Sequence, residues 1–305
     1  MIEDLKKKFE QRDRVIRIVS KNAAFRAVAI RNTLCVQTAQ KTHNLEHIPA
    51  FLLARAITAA SMISAFLKGE ERVILEINSK GIINRVYAEA MQVGECRGFI
   101  NFSPNYFNSE FTEKITKIGD ILGLGTLKVS RILYNKTEPI VGIVPLINGD
   151  ISSDIAYYFA QSEQINSAVI LDVDFDDDGK IINSGGILVQ AMPGAVQEEL
   201  DNVVSALSNI NSFCAELNAE KSLEDILNRI LPFEFDIVKN KQVDFFCRCN
   251  IQNFIARLML IGIDEIEDMQ KQGQNELVCQ YCNKHYYLRD VDFKNIIGQL
   301  KAQQN

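Results

Sequence analysis

The sequence has no tryptophan, only three histidines and only six prolines among its 305 residues, and it has no surplus of positive charge. Its 33 lysines and arginines are outnumbered by 39 aspartates and glutamates, which gives a formal net charge of −6. Proteins that bind nucleic acid usually present a basic surface, because contacts to phosphate supply much of the affinity. The composition therefore predicts that nucleic acid is not a partner.

Neither an export signal nor a membrane span is predicted. The first 15 residues, MIEDLKKKFEQRDRV, are too charged to contain the apolar core of a secretory signal. The longest apolar stretch, residues 48–66, carries Arg55 in its interior, and a charge at the centre of a bilayer costs at least about 2.5 kcal/mol. We therefore expect a soluble, cytoplasmic protein without a membrane partner, whose thiols are kept reduced.

Sequence motifs of common enzyme classes are also missing. The segment GDILGLG (119–125) fits neither of the common phosphate-binding patterns. Asp174, Asp176 and Asp178 have the spacing of a calcium-binding loop, but Gly185 stands where that loop needs a bidentate glutamate. We interpret this acidic segment as a solvated hairpin turn, and we predict that the chain is not an enzyme.

Segments with the patterns of strands and helices alternate through the first two-thirds of the chain. Residues 14–19 and 25–30 are rich in β-branched side chains and flank a polar turn, which is typical of paired strands. The prediction is an α+β fold: a mixed α/β N-terminal body with strand hairpins and a central helix, a helical linker and a small C-terminal zinc-binding module. The predicted boundaries are a core domain at 1–193, the linker at 194–243, the four-cysteine module at 244–290 and a C-terminal tail at 291–305.

Four of the seven cysteines form two tight pairs near the C-terminus, Cys247-x-Cys249 and Cys279-x-x-Cys282. Two thiolate pairs that are far apart in sequence can close a tetrahedral four-sulfur zinc site. The first pair is tight, but alternate side chains of an extended segment share a face, so both of its sulfurs can point to one side. The sequence therefore predicts one zinc ion per chain, with these four cysteines as its ligands.

The residues between the two cysteine pairs support a small module that depends on its metal. Asn250 is placed to cap a helix that ends near Gly262, and a short acidic helix follows. Residues 241–305 contain eight Lys and Arg and eight Asp and Glu, so the module has no basic excess. A module of this size hardly sustains a core alone, and zinc binding energies of ~10–16 kcal/mol act as folding energy in such domains. We therefore expect the module to unfold without zinc.

Several alternatives remain open at this point. The short separations also allow Cys247–Cys249 and Cys279–Cys282 disulfides, since close neighbours can approach the ~4.4–6.8 Å between Cα atoms that such bonds need. A purely structural zinc site would contain the same four cysteines, and a thioredoxin-like use of the second pair is a weaker alternative. His285 is close enough in sequence to replace a thiolate, although we interpret it as a surface residue. The other three cysteines stand among apolar neighbours and are interpreted as small buried hydrophobes: Cys35, Cys96 and Cys214.

Beyond the cysteines, much of the chain resembles the 33 kDa chaperonin family, the redox-regulated heat-shock holdases of the bacterial cytosol. The segments that carry the resemblance are 54–69, 142–171, 185–195 and 261–269. The sequence departs from the family pattern at five positions, where Gly, Tyr, Glu, Gly and Ser are expected: Ala54, Ile140, Asp150, Asp172 and Asn250. All four expected zinc ligands are nevertheless present.

The resemblance implies a redox switch. The reduced, zinc-bound protein would be inactive, and oxidation would form the Cys247–Cys249 and Cys279–Cys282 disulfides, release zinc and unfold the module and the metastable linker. The exposed apolar surface would hold unfolding client proteins without ATP, and the active form would be a homodimer. The alternative is a constitutive zinc-stabilised module that binds protein or nucleic acid without redox switching.

Overall fold

The computed structural model describes residues 12–104, 118–218 and 221–303, and its chain divides into two compact units. The first unit, Met1–Phe246, is called the body below, and the second, Cys247–Asn305, the C-terminal unit. Strands and helices are mixed in the body, and the predicted α+β class is confirmed.

The strands of the described residues are, in chain order, β1 (Arg14–Ser20), β2 (Phe25–Arg31), β3 (Arg72–Ser79), β4 (Ile83–Met91), β5 (Glu95–Phe102), β6 (Gly125–Ile132), β7 (Ile140–Pro145), β8 (Ser167–Phe175), β9 (Ile181–Ala191), β10 (Phe235–Gln242), β11 (Asp244–Phe245), β12 (Glu276–Val278) and β13 (His285–Tyr287).

The helices are α1 (Thr33–His43), α2 (His47–Ser64), α3 (Ile118–Leu122), α4 (Ile151–Tyr158), α5 (Gln197–Ser208), α6 (Phe213–Asn218), α7 (Leu223–Ile230), α8 (Ile251–Leu258), α9 (Ile263–Lys271) and α10 (Asp290–Gln303). A π-helical turn, Phe159–Glu163, continues α4.

The described residues of the body form two sheets. The first is antiparallel, with the strand order β10-β1-β2-β9-β8, and the second has the order β11-β5-β4-β3-β6-β7, in which only the short β11 is parallel to its neighbour. The apolar helix α2 joins both sheets in one hydrophobic cluster. This helix is long and apolar enough to cross a membrane, but 78% of it is buried inside the protein, as expected for a central core helix.

The central strands of the first sheet, β1, β2 and β9, are buried on both faces. Val28 and Ile30 of β2 point toward the cluster around α2, whereas Ala27 and Ala29 point to a second cluster formed with the helices of the linker. This follows from the two-residue period of a strand, which sends alternate side chains to opposite faces. The near-continuous apolar sequence of β2 thus reflects its position between two layers.

The linker differs from the helical segment that we predicted for residues 194–243. Helices α5, α6 and α7 are present, but Phe235–Gln242 forms β10, which pairs antiparallel with β1. The segment is polar and largely exposed, so it lacks an apolar periodicity, and its extended form is defined by the main-chain pairing with β1.

The C-terminal residues also differ from the predicted tail. Residues 290–303 form α10, whose side chains supply most of a small apolar core in the C-terminal unit. The buried members of this core are Ile266, Leu288, Phe293, Ile296 and Leu300.

Candidate metal centre

The first cysteine pair lies at the start of the C-terminal unit, immediately before α8. Asn250 is the N-cap of this helix, as predicted, and its side-chain oxygen accepts a hydrogen bond from the backbone N–H of Asn253 at 2.8 Å. The side chain of Asn253 donates in turn to the carbonyl oxygen of Arg248 at 3.3 Å. These bonds fix the backbone on both sides of Cys249, because a capped helix start leaves little freedom to the residue before it.

The second pair lies in the turn between β12 and β13. The backbone N–H of Cys279 donates to the carbonyl of Lys284 at 2.9 Å, and that of Asn283 donates to the carbonyl of Cys279 at 2.8 Å. Asn283 has φ of 51°, a left-handed conformation that asparagine tolerates better than most residues. The tight turn therefore presents Cys279 and Cys282 together.

The structure brings all four predicted ligands together. Their sulfur atoms lie within 4.8 Å of one another, with 3.6 Å between the Sγ atoms of Cys247 and Cys279 and 3.4 Å between those of Cys249 and Cys282. Sulfurs bound tetrahedrally at ~2.3 Å from a zinc ion would be about 3.8 Å apart. The donor set is all sulfur, which favours a soft or borderline metal such as zinc over calcium or magnesium. The cluster thus fits a four-thiolate metal site.

The environment of the four thiols differs from one to the next. Burial raises the pKa of Cys247 and of Cys282. Burial acts in the same direction on Cys249, but hydrogen bonds from Tyr286 and from the neighbouring thiols outweigh it and lower the pKa of Cys249 to about 7. Since clustered thiolates repel one another, simultaneous ionisation of all four requires a cation among them.

Tyr286 contacts the cluster, and the sequence alone does not single it out. Its hydroxyl lies 2.9 Å from the carbonyl oxygen and 3.2 Å from the Sγ of Cys249, so its hydrogen is directed at this residue. A tyrosine four residues after the last ligand is a usable signal for such a contact. Alternate side chains along β13 point to opposite faces, so only one of Tyr286 and Tyr287 can face the cysteines. The choice between the two tyrosines needs the structure.

The other candidate residues lie elsewhere. His285 is not a member of the cysteine cluster, and its Nδ1 contacts Glu276 Oε1 at 2.7 Å. The three remaining cysteines are buried in the body, as expected for small hydrophobes: Cys35, Cys96 and Cys214. In the acidic segment 174–180, Asp176 accepts hydrogen bonds from the backbone N–H groups of Asp178 and Lys180, which is the arrangement of a closed hairpin turn.

Two of the departures from the family pattern make specific contacts in the body. Asp150 is the N-cap of α4 and forms an ion pair with Arg55. Asp172 of β8 accepts hydrogen bonds from the Ser212 hydroxyl at 2.7 Å and from the backbone N–H of Cys214 at 2.9 Å, at the start of α6 in the linker. Ala54 is buried in α2, and Ile140 is an exposed residue at the start of β7.

Comparisons with known proteins give a consistent result. A profile of the Hsp33 protein family matches residues 13–289. The 33 kDa chaperonin of Alkaliphilus metalliredigens is 31% identical over 291 residues, covering 94% of this chain and 99% of that relative. That of Streptococcus thermophilus is 30% identical over 288 residues, with the same coverage. The crystal structure of the 33 kDa chaperonin from Thermotoga maritima superposes with a TM-score of 0.83 at 28% identity, over 96% of this chain and 99% of that one.

Proposed function

Because this chain belongs to the Hsp33 family, the 33 kDa chaperonins, it is a chaperone, and we propose that it is a redox-regulated, ATP-independent holdase. The family resemblance predicted from the sequence is confirmed. In the proposed cycle the reduced, zinc-bound protein is inactive, and oxidation activates it to bind unfolding or aggregation-prone proteins in the cytoplasm. The active form is proposed to be a homodimer that binds neither nucleic acid nor a membrane.

The observation that carries this proposal is the four-sulfur cluster formed by Cys247, Cys249, Cys279 and Cys282. When bound there, zinc would supply a divalent charge that cross-links the four thiolates and adds ~10–16 kcal/mol of folding free energy to the C-terminal unit. Among the described residues, the apolar core of that unit has five buried members. Its fold therefore depends on whether the sulfurs remain thiolates.

Oxidation by a peroxide would remove the negative charge of the sulfurs. One thiolate attacks a peroxide oxygen, the O–O bond breaks, and a sulfenic acid and hydroxide are formed. A second thiolate attacks the sulfenic sulfur, which forms the S–S bond and releases another hydroxide. Two electrons pass from each sulfur pair to one peroxide, so two disulfides consume two peroxides. The four sulfurs can then no longer hold a divalent cation.

The connectivity of the disulfides decides whether the unit can open. In the folded structure, contacts between the two pairs are short, 3.6 Å between the Sγ atoms of Cys247 and Cys279 and 3.4 Å between those of Cys249 and Cys282. Disulfides between those partners would keep the two segments joined. We propose Cys247–Cys249 and Cys279–Cys282 instead, because sequence neighbours stay close after the unit loosens, when the loop-closure entropy favours short loops.

The linker supplies the apolar surface that activation would expose. Its helices bury, among others, Phe213, Leu217 and Ile226 against the first sheet. Gly185 of β9 lies beneath them: a Cβ at this position would lie 2.4 Å from the Ile30 carbonyl oxygen of β2, 2.9 Å from the Leu217 side chain and 3.0 Å from the Phe213 ring. Residues of the sheet that the linker covers, such as Ile16 and Ile187, are fully buried. Release of the linker would therefore expose a contiguous apolar face of the kind that binds unfolded chains.

Polar contacts also hold the linker on the sheet. Arg14 of β1 forms a two-fold hydrogen-bonded ion pair with Glu224 of α7, with N–O distances of 2.8 and 2.5 Å. Arg31 of β2 donates to the carbonyl of Leu217 at 2.9 Å. These contacts are made within the folded body, so they require the helices α6 and α7 to stay formed.

The test follows zinc and client aggregation together. The reduced, zinc-loaded protein is treated with peroxide at raised temperature, a chromogenic chelator reports free zinc, and light scattering reports a heat-unfolded client. We expect one zinc per chain to leave as aggregation becomes suppressed, and peptide mapping to find the two proposed disulfides. Zinc release without suppression would contradict the switch and favour a constitutive structural module.

A further inference from the structure

The hydroxyl of Tyr286 is directed at a predicted zinc ligand. Its single hydrogen has two acceptors on the same residue, the Sγ of Cys249 at 3.2 Å and the carbonyl oxygen at 2.9 Å, and ionisation of the thiol to a ligating thiolate favours the sulfur. Hydrogen bonds from outside the ligand set commonly orient metal ligands, and their loss costs roughly 10- to 100-fold in metal affinity. A hydrogen bond to a charged sulfur is also stronger than one between neutral groups.

The position of the ring is defined by contacts on several sides. Tyr286 lies on β13 opposite Leu277 of β12, in the hairpin whose turn carries Cys279 and Cys282. Its ring is 5.2 Å from that of Phe254 on α8, and the Lys284 ammonium group lies 5.2 Å from its centroid. The tyrosine therefore links the segment of the second cysteine pair to a ligand of the first pair.

We propose that Tyr286 is a positioning residue of the redox centre: its hydroxyl holds the Cys249 sulfur in the ligand cluster and slows the reaction of that sulfur with oxidants. The hydrogen bond withdraws negative charge from the sulfur and occupies one of its lone pairs, which leaves less electron density for attack on a peroxide. The part of the proposal that concerns oxidation rests on the proposed function, whereas the part that concerns metal affinity does not.

The neighbouring tyrosine provides a matched control. Tyr287 lies on the same strand, but its hydroxyl donates to Glu276 Oε1 at 2.8 Å, on the exposed side of the hairpin. The variants Tyr286→Phe and Tyr287→Phe thus remove the same atom from adjacent positions of β13. Each keeps its ring, and hydrogen exchange of the zinc-saturated full-length proteins checks that the C-terminal unit remains folded.

The first measurement is zinc affinity in the reduced proteins, by competition with a chelator and without oxidant. We expect Tyr286→Phe to bind zinc roughly 10- to 100-fold more weakly and Tyr287→Phe to match the wild type. The second measurement is the rate of zinc release and of thiol loss with peroxide, which should rise in Tyr286→Phe alone. Wild-type affinity in Tyr286→Phe, or equal weakening in both variants, would overturn the proposal.

Failure of the proposed function has a different signature. In that case the wild type would lose zinc under peroxide without suppressing client aggregation, while the difference in affinity between the two tyrosine variants would persist. If the proposed function holds and only the tyrosine proposal fails, the wild type and both variants would show the same affinity and activate at the same peroxide concentration.

Discussion

The body and the C-terminal unit are stabilised in different ways. In the part of the chain that the structure describes, the body contains two extensive apolar clusters, one on each face of its first sheet, whereas the C-terminal unit has one cluster of five buried side chains. Burial of a large aliphatic or aromatic side chain contributes about 1.5–3 kcal/mol, and the ordering of each residue costs a comparable amount. We therefore expect the body to fold on its apolar burial alone and the C-terminal unit to need a bound metal. If so, loss of the metal would unfold one end of the chain without the other.

The largest effect is expected from a cysteine substitution that unfolds the C-terminal unit and leaves the body folded. Cys282→Ser removes one thiolate from the cluster, and loss of zinc would remove ~10–16 kcal/mol of folding free energy, which is comparable to the whole stability of a typical domain. We expect hydrogen-exchange protection to disappear over residues 247–288 and to persist in the strands β1, β2 and β9. The wild type treated with a strong chelator under reducing conditions serves as the control and should give the same pattern. Retained protection in the variant would show that the unit folds without its metal.

A second substitution weakens the linker within the body. Phe213 is fully buried at the start of α6, and truncation of a buried phenylalanine costs about 3–5 kcal/mol. We expect Phe213→Ala to lower the free energy of unfolding of the linker by this amount and to suppress client aggregation at a lower peroxide concentration. Val204→Ala on α5 is the control, because Val204 is 54% exposed. If Phe213→Ala activates at the same peroxide concentration as the wild type, the stability of the linker does not control activation.

A third prediction concerns how the stability of the body depends on pH through a buried carboxyl group. Burial raises the pKa of Asp13 to about 6, against which hydrogen bonds from Cys35 act only in part, and its Oδ1 has no hydrogen-bond partner among the described residues. Between about pH 4 and pH 6, the folded protein therefore keeps the proton on the Asp13 carboxyl group, whereas the unfolded chain has already lost it. Stability should fall as pH rises from about 4 to about 6 and should then stay level, with a total loss of about 3 kcal/mol.

The isosteric variant tests this assignment. Asp13→Asn keeps an oxygen that can accept from the backbone N–H of Cys35 but cannot titrate. We expect the fall in stability between pH 4 and 6 to disappear in chemical denaturation experiments. Asp178→Asn, at an exposed turn, should retain the wild-type profile. If the stability of Asp13→Asn still falls between pH 4 and 6, other titrating side chains must cause that fall.

Much of this organisation could be predicted from local sequence patterns, and the failures have physical causes. Strands β1 and β2 could be predicted because their β-branched residues flank a polar turn, and the metal cluster because two cysteine pairs have ligand spacing. Strand β10 was missed because FDIVKNKQ is polar and is extended through its pairing with β1, a contact distant in sequence. The sequence prediction places only a C-terminal tail where α10 lies, although Phe293, Ile296 and Leu300 have helical spacing. The Tyr286–Cys249 contact depends on how two distant segments meet, which no local pattern encodes.

The smallest expected effect concerns a residue at which this chain departs from the family pattern. Asp172 caps the start of α6 through Ser212 and Cys214, so it joins β8 to the linker. Loss of a helix cap costs about 0.5–2 kcal/mol, and we expect Asp172→Ala to lower the peroxide and temperature thresholds of activation slightly, without changing zinc affinity. Asp178→Ala, on the turn of the same hairpin, should have no effect. If Asp172→Ala shifts zinc affinity but not the threshold, then Asp172 does not act through the linker, and the resistance of the linker to unfolding must come from its apolar contacts and from the ion pair of Arg14 with Glu224.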